Sequence, residues 1–262
     1  MSDLISIQLR RARHLTALLA AALYGLLQHR KLPAEPSRSE SAQWLQESCA
    51  RGLSAIKVQT TTTGELPRRG LLVSNHLSYL DILVLSAAVP CAFVSKSEVE
   101  QWPIFGLYAR WAGTVFVRRH DRSDAARANV SVAESLRDGV PVVLFPEGTT
   151  TDGHRVLRFH STMLQPAIDA GAQVTPCAIV YELENGDPAQ EVSWWGDMPL
   201  LPHVWNLVGK KIIRARIAFG EPMLATGDRK ELSHVLHEEV VRLHEQLRSN
   251  DLRSHIAANI PS

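Results

Sequence analysis

Short runs rich in Val, Ile and Phe recur along this chain, each too brief for a helix, and segments with helical spacing separate them. AIKVQ (55–59) and LLVS (71–74) read as strands ahead of the helix-like LSYLDILVLSAAV (77–89). AFVS (92–95) and TVFV (114–117) read as strands on either side of the helix-like EVEQWPIFGLYARW (98–111), which carries Pro103. A helical stretch at 123–138 precedes the buried-strand pattern VVLF (142–145); VTPCAIVY (174–181), KIIRARIAF (211–219) and a closing helix at about 229–248 follow. Parallel strands need long crossovers, usually helices, so this alternation predicts an α/β fold. The expected architecture is a single domain with a mixed, largely parallel sheet flanked by helices. In such sheets ligands gather beyond the carboxyl ends of the strands. Hydrophobic residues at 45% and charged residues at 21% suit a packed core and argue against disorder or a coiled coil.

Ahead of this pattern lies an apolar head. Leu15 to Leu27 is a thirteen-residue run without a charge, closed on both sides by Arg and Lys. As a helix it spans about 20 Å, short of a hydrocarbon core of roughly 30 Å, so it does not cross a bilayer alone. Signal cleavage needs small residues where QHRKLP places basic ones. Two readings stay open on this stretch: a buried helix, or a helix in the membrane interface with its cations at anionic headgroups. Residues 1–31 carry Arg10, Arg11, Arg13, Arg30 and Lys31 against Asp3 alone, a charge of +4, so a total of +1 leaves −3 for the rest. That balance excludes binding to nucleic acid by bulk charge. A polar, Pro-containing linker is expected at 33–41, which divides the chain into a membrane-associating head and linker (1–40), a catalytic domain (41–250) and a tail (251–262).

Cys49, Cys91 and Cys177 are odd in number and in no metal spacing, which reads as reduced thiols in a cytosol-facing protein. His234, His237 and His244 with Glu238 and Glu239 read as the polar face of an amphipathic helix rather than a metal site.

Two strand ends are loaded with chemistry. LLVS runs into Asn75-His76-Leu77-Ser78-Tyr79-Leu80-Asp81. Imidazole titrates near neutrality and can take a hydroxyl proton, and a carboxylate on its other nitrogen fixes the tautomer. Positions i and i+5 lie about 140° apart on a helix, so contact requires His76 in the turn before it. VVLF runs into Pro146-Glu147-Gly148-Thr149-Thr150-Thr151-Asp152-Gly153, a turn-forming loop whose N–H and hydroxyl groups suit a phosphate or carbonyl oxygen. Glu147 would repel an anion, so it either accepts hydrogen bonds that hold the loop or faces a substrate hydroxyl. Lys96 ends one strand and Arg118-Arg119 another; adjacent arginines on a strand point to opposite sides, so one of the two at most faces a site.

Asn75-His76-x4-Asp81, Gly113-Thr-Val-Phe-Val-Arg118-Arg119, Phe145-Pro-Glu-Gly-Thr149 and Val174-Thr-Pro176 stand in the order and separations of a known family. Over about residues 70–181 the chain resembles the glycerolipid acyltransferases typified by bacterial 1-acylglycerol-3-phosphate acyltransferase, and Phe219-Gly-Glu-Pro222 and the last helix extend the likeness loosely. The resemblance implies transfer of a fatty acyl group from acyl carrier protein or coenzyme A to the hydroxyl of a lysolipid, foremost 1-acylglycerol 3-phosphate, without metal or cofactor. It assigns His76 as general base and Asp81 as its orienting partner. Arg119, Glu147, Gly148 and Thr149 match acceptor-binding positions, with Lys96 as a further cation. Asn75, Arg118, Thr150 and Pro176 are supporting candidates, Pro176 in the block linked to the acyl donor. It also favours the interfacial reading of the head, on the cytoplasmic face of the inner membrane. Two departures bear on the acceptor. Many lysophosphatidate enzymes have Arg where this chain has Thr150, and residue 118, often acidic, is Arg. The loop is similar to a subgroup that includes enzymes acylating lyso-ornithine lipid, the alternative acceptor.

Rival readings are a hydrolase using Ser74, Ser78 or Ser161, which lacks a Gly-x-Ser-x-Gly elbow, and a non-enzymatic lipid-binding protein. Trp102, Phe105, Tyr108, Trp111, Trp194 and Trp195 serve either core packing or a membrane footprint.

Overall fold

The computed structural model describes the backbone of residues 2–102, 104–117 and 122–258, and side chains of 4–102, 104–117 and 129–249. In chain order the elements are α1 (Ser2–His29), α2 (Arg38–Ala55), β1 (Val58–Thr63), β2 (Leu71–Ser74), α3 (Leu80–Ala88), β3 (Ala92–Lys96), α4 (Phe105–Trp111), β4 (Val115–Val117) and α5 (Arg122–Arg137). There follow β5 (Val142–Leu144), α6 (Gln165–Asp169), β6 (Gln173–Leu183), α7 (Pro188–Glu191), α8 (Leu200–Leu207), β7 (Ile213–Phe219), β8 (Met223–Leu224) and α9 (Arg229–Ala258). The strands form one sheet in the order β1-β7-β6-β2-β5-β3-β4, with β8 also beside β6. From β6 to β4 every pair is parallel, β7 runs antiparallel to β6, and β1 runs parallel to β7. The sheet is therefore mixed and largely parallel, as the strand pattern predicts.

Alternation along the strands splits the core in two. Leu72, Val143, Cys177, Ile179 and Ile217 face the layer of α2, α3 and α8, with Leu15 and Leu18 of α1 packed against it. Leu71, Val73, Val142, Leu144 and Val174 face the opposite layer of α5, α6 and α9. A sheet covered on both faces explains why LLVS and VVL read as continuous apolar runs.

Four boundaries differ from the sequence reading. The 33–41 linker ends early, because Ser37 caps α2 through a reciprocal capping box with Glu40. The first strand starts at Val58, three residues later than expected. The helical segment 98–111 resolves into a 3₁₀ turn (Ser97–Gln101) and α4; Pro103 lies outside the described residues. Helix α9 runs on through residues 251–258 of the expected tail, and 259–262 lie outside the described residues.

The apolar head is one long helix with two faces. Its inner face docks: His14 Nδ1 donates to Val208 O at 2.9 Å, Arg10 Nη1 to Gly209 O at 2.9 Å, and the carbonyls of Ala22 and Gly25 accept from Tyr108 Oη and Trp44 Nε1. Its outer face leaves Ile5, Leu9, Leu19, Leu23 and Leu27 exposed. Among the described residues no helix is long and apolar enough to cross a membrane.

Candidate active site

β2 is fully buried and only four residues long, so it delivers its exit at the carboxyl edge of the sheet beside β5 and β6. Residues 75–79 stay outside the helix and α3 begins at Leu80, which resolves the awkward five-residue spacing. His76 Nδ1 reaches Asp81 Oδ2 at 2.7 Å. The same oxygen accepts Leu77 N at 2.6 Å and Ser78 N at 3.0 Å, while Oδ1 accepts Tyr181 Oη at 2.7 Å. An oxygen already taking two backbone N–H groups is an acceptor, so Nδ1 carries a proton, and in the neutral ring the lone pair is on Nε2. Asp81 is completely buried and the His76 side chain is 19% exposed, so the imidazole is the member of the pair that solvent reaches. Phe145 stacks beneath the ring at 4.0 Å and 12°.

The loop after β5 is clamped to this pair. Glu147 Oε1 accepts His76 N and Oε2 accepts Leu157 N, both at 2.7 Å. Of the two expectations for Glu147, loop-holding is what the geometry displays: the residue is 3% exposed and both oxygens are committed to backbone. Burial pushes its carboxyl up to about 7, helped by the Asp81 charge and opposed by the two backbone donors. Gly148 adopts φ +74°, open to glycine, as the loop turns back with Gly148 N donating to Phe145 O. Thr149 is exposed and Thr150 half-buried. It is Thr151 that ties the loop to the first site, its N–H donating to His76 O at 3.0 Å.

The remaining candidates spread out. Asn75 is buried and sews β2 to β6, donating to Ile179 O and accepting from Ile179 N. Pro176 is buried in β6, in register with Val73. Lacking an N–H, it sits opposite the bend between β7 and β8, where the ladder is already interrupted. Lys96 is exposed at the end of β3, in register with Val117. Arg118 and Arg119 lie outside the described residues. Sequence reasoning missed Tyr181, one hundred residues from Asp81, and Leu157 and Thr151 as backbone donors; long-range pairing leaves no local trace.

The hydrolase rival fits the geometry poorly. Ser74 and Ser78 are completely buried, and among the described residues no Ser hydroxyl is a ring partner of His76. His234 pairs weakly with Glu238 on the surface, His237 faces Val156 O and Phe159, and His244 is buried, its pKa lowered to about 4 by burial and by Arg248. No group of three metal-ligating side chains converges among the described residues. The three cysteines are buried and unpaired.

An acyltransferase family model matches residues 55–180. Lyso-ornithine lipid O-acyltransferase of Pseudomonas aeruginosa is 38% identical over 199 residues, 75% of this chain and 75% of that protein. The protein of the same name from Brucella abortus is 39% identical over 65% of this chain and 69% of its own length. A 1-acyl-sn-glycerol-3-phosphate acyltransferase of Neisseria meningitidis is 38% identical over 59% of this chain and 60% of its own length. The fold matches the crystal structure of the 1-acyl-sn-glycerophosphate acyltransferase PlsC of Thermotoga maritima, with a TM-score of 0.68 at 21% identity, over 94% of this chain and 98% of that one.

Proposed function

The chain belongs to the acyltransferase family, whose curated relatives are named for acylating lysolipids, and from that premise we propose that His76 is the general base for attack of a lysolipid hydroxyl on an acyl thioester. The observation that carries the reading is the 2.7 Å bond from His76 Nδ1 to a buried Asp81, which leaves Nε2 as the free basic atom. Nε2 takes the hydroxyl proton as the oxygen attacks the thioester carbonyl. The tetrahedral adduct collapses by breaking the C–S bond, and the imidazolium returns its proton to the departing sulfur. Products are the diacyl lipid and a free thiol, with no acyl-enzyme and no metal in the scheme. Asp81 stabilises the imidazolium. Arg119 with Lys96 are proposed to hold the acceptor head group, and acyl carrier protein or coenzyme A to carry the acyl chain.

Two acceptors are each supported by a specific observation. Thr150 in place of the Arg found in many lysophosphatidate enzymes, together with the Pseudomonas and Brucella relatives, favours lyso-ornithine lipid. The Neisseria relative favours 1-acylglycerol 3-phosphate. The exposed apolar face of α1, with Arg13 and Arg30 exposed beside it, supports peripheral attachment to an anionic, cytoplasmic leaflet where a lysolipid resides.

Purified protein offered each acceptor with each thioester assigns the substrates, and inertness toward all of them removes the proposal. His76→Ala is expected to cut turnover by roughly 10²–10⁴, the usual contribution of a general base. Replacing Ser74, Ser78 or Ser161 with Ala is expected to leave it; complete loss at one of them would favour the hydrolase.

A further inference from the structure

The catalytic pair leans on a strand that contributes no base and no orienting carboxylate. β6 outruns β2: their last ladder pair is Ser74 with Cys177. Beyond it the Asn75 side chain substitutes for a strand, bonding Ile179 N at 2.8 Å and Ile179 O at 3.0 Å. Cys177, Ile179 and Tyr181 share one face by the two-residue period, and all three enter the same core cluster as α3. The Asn75 staple thus fixes the height at which Tyr181 stands over the turn between His76 and Asp81.

Three donors converge on Asp81 Oδ2, namely His76 Nδ1, Leu77 N and Ser78 N. Among the described residues Tyr181 Oη is the partner of Oδ1, at 2.7 Å. We propose that Tyr181 is a positioning residue for acyl transfer: its hydroxyl sets the rotation of the Asp81 carboxylate and withdraws part of its charge, and so tunes the basicity of His76. The proposal rests on the reading of His76 as the base. Burial, reinforced by the Asp81 charge, holds the Tyr181 phenol well above its ordinary range, so it remains a donor. The other titratable groups around Asp81 and Tyr181 are Glu147 from the β5 loop, Cys177 from β6 and Tyr79 from the turn before α3. None of these supplies a hydrogen bond to Oδ1 among the described contacts.

Without the hydroxyl, Oδ1 is a buried oxygen with no donor, and its charge is concentrated on the pair with His76. A more basic carboxylate favours the imidazolium, so the base is lost at a higher pH. The test is Tyr181→Phe in the full-length enzyme, which keeps the ring in the core and removes one oxygen. Expected are a fall in kcat of about tenfold or more, KM values within about twofold, and an acidic limb of the pH–rate profile displaced to higher pH. In an Asp81→Asn background the same change is expected to add less than about twofold, because its effect travels through the carboxylate. The ¹⁵N signals of the His76 ring, followed by NMR in the free protein, are expected to titrate at higher pH in Tyr181→Phe than in wild type. A lowered melting temperature with kcat, acidic limb and ring titration unmoved would overturn the proposal, as would full additivity with Asp81→Asn. Wild-type inertness toward both acceptors would sink the functional reading instead, while the ring titration, which needs no substrate, still decides the role of Tyr181.

Discussion

Glu147 spends both carboxylate oxygens on backbone N–H groups, one from each of the two loops that make the site. An amide can accept at only one of its two atoms, so Glu147→Gln leaves a buried N–H without a partner. The expected cost is about 1–3 kcal/mol of stability, read by urea unfolding, with a fall in kcat as His76 loosens. The pH dependence has a definite sign. Its carboxyl is raised in the folded protein from 4.5 to about 7, so the fold holds that proton more tightly than the unfolded chain. The stability this contributes is present below pH 4.5 and is lost as pH rises to about 7; subtracting the Glu147→Gln curve from wild type isolates that slope, and parallel curves would refute it. At this scale His76 and Asp81 were legible because a strand end and a short spacing fix them locally. Tyr181 was not, since the pairing of β6 with β2 brings it in from a hundred residues away.

Helix α1, for which the sequence left two readings open, is docked along one face and exposes apolar residues along the other. Removing residues 1–31 would therefore strip Trp44 and Tyr108 of their acceptors and uncover the core at Leu15 and Leu18, so deletion confounds attachment with folding. Substituting the outer residues Leu9, Leu19, Leu23 and Leu27 with Gln separates them. Each exposed Leu that enters an interface contributes about 1.5–3 kcal/mol, so each change is expected to weaken sedimentation with anionic vesicles by about tenfold or more while the melting temperature holds. Leu15→Ala on the inner face is expected to do the reverse, and loss of vesicle binding only upon the inner change would reject the interfacial reading. Helix α2 shows why one element escaped sequence reading: many of its buried positions are Ser41, Ala42, Ser48, Cys49 and Gly52, small residues that leave no apolar stripe. Those small residues also let neighbouring helices come close, as Gly25 of α1 does where a Cβ would strike Ser48 and the Tyr108 hydroxyl.

Across the whole molecule, acid is expected to attack the fold through its histidines. Burial is the chief cause that lowers the pKa of His14, His203 and His244, the last to about 4, and they sit respectively on α1, α8 and α9, packed against both sheet faces. A depressed imidazole gives stability that is present above its unfolded value of 6.5 and is lost as pH falls toward the folded one. The melting temperature is therefore expected to drop between pH 6.5 and 4, and His244→Gln to flatten that drop; an unchanged slope in the variant would show that other groups carry it. The same division of labour separates what each level of description decides. The sequence by itself determined the layer architecture, most of the strands, the His76–Asp81 pair and the family, because strand period, apolar runs and turn chemistry act over a few residues. Tertiary structure alone decided that Glu147 clamps two loops, that Thr151 and not Thr150 meets His76, that α1 carries a docked and an open face, and that Tyr181 completes Asp81. Each of those depends on strand order and register, which are set by how the two faces of the sheet bury their side chains and leave no mark in any local window.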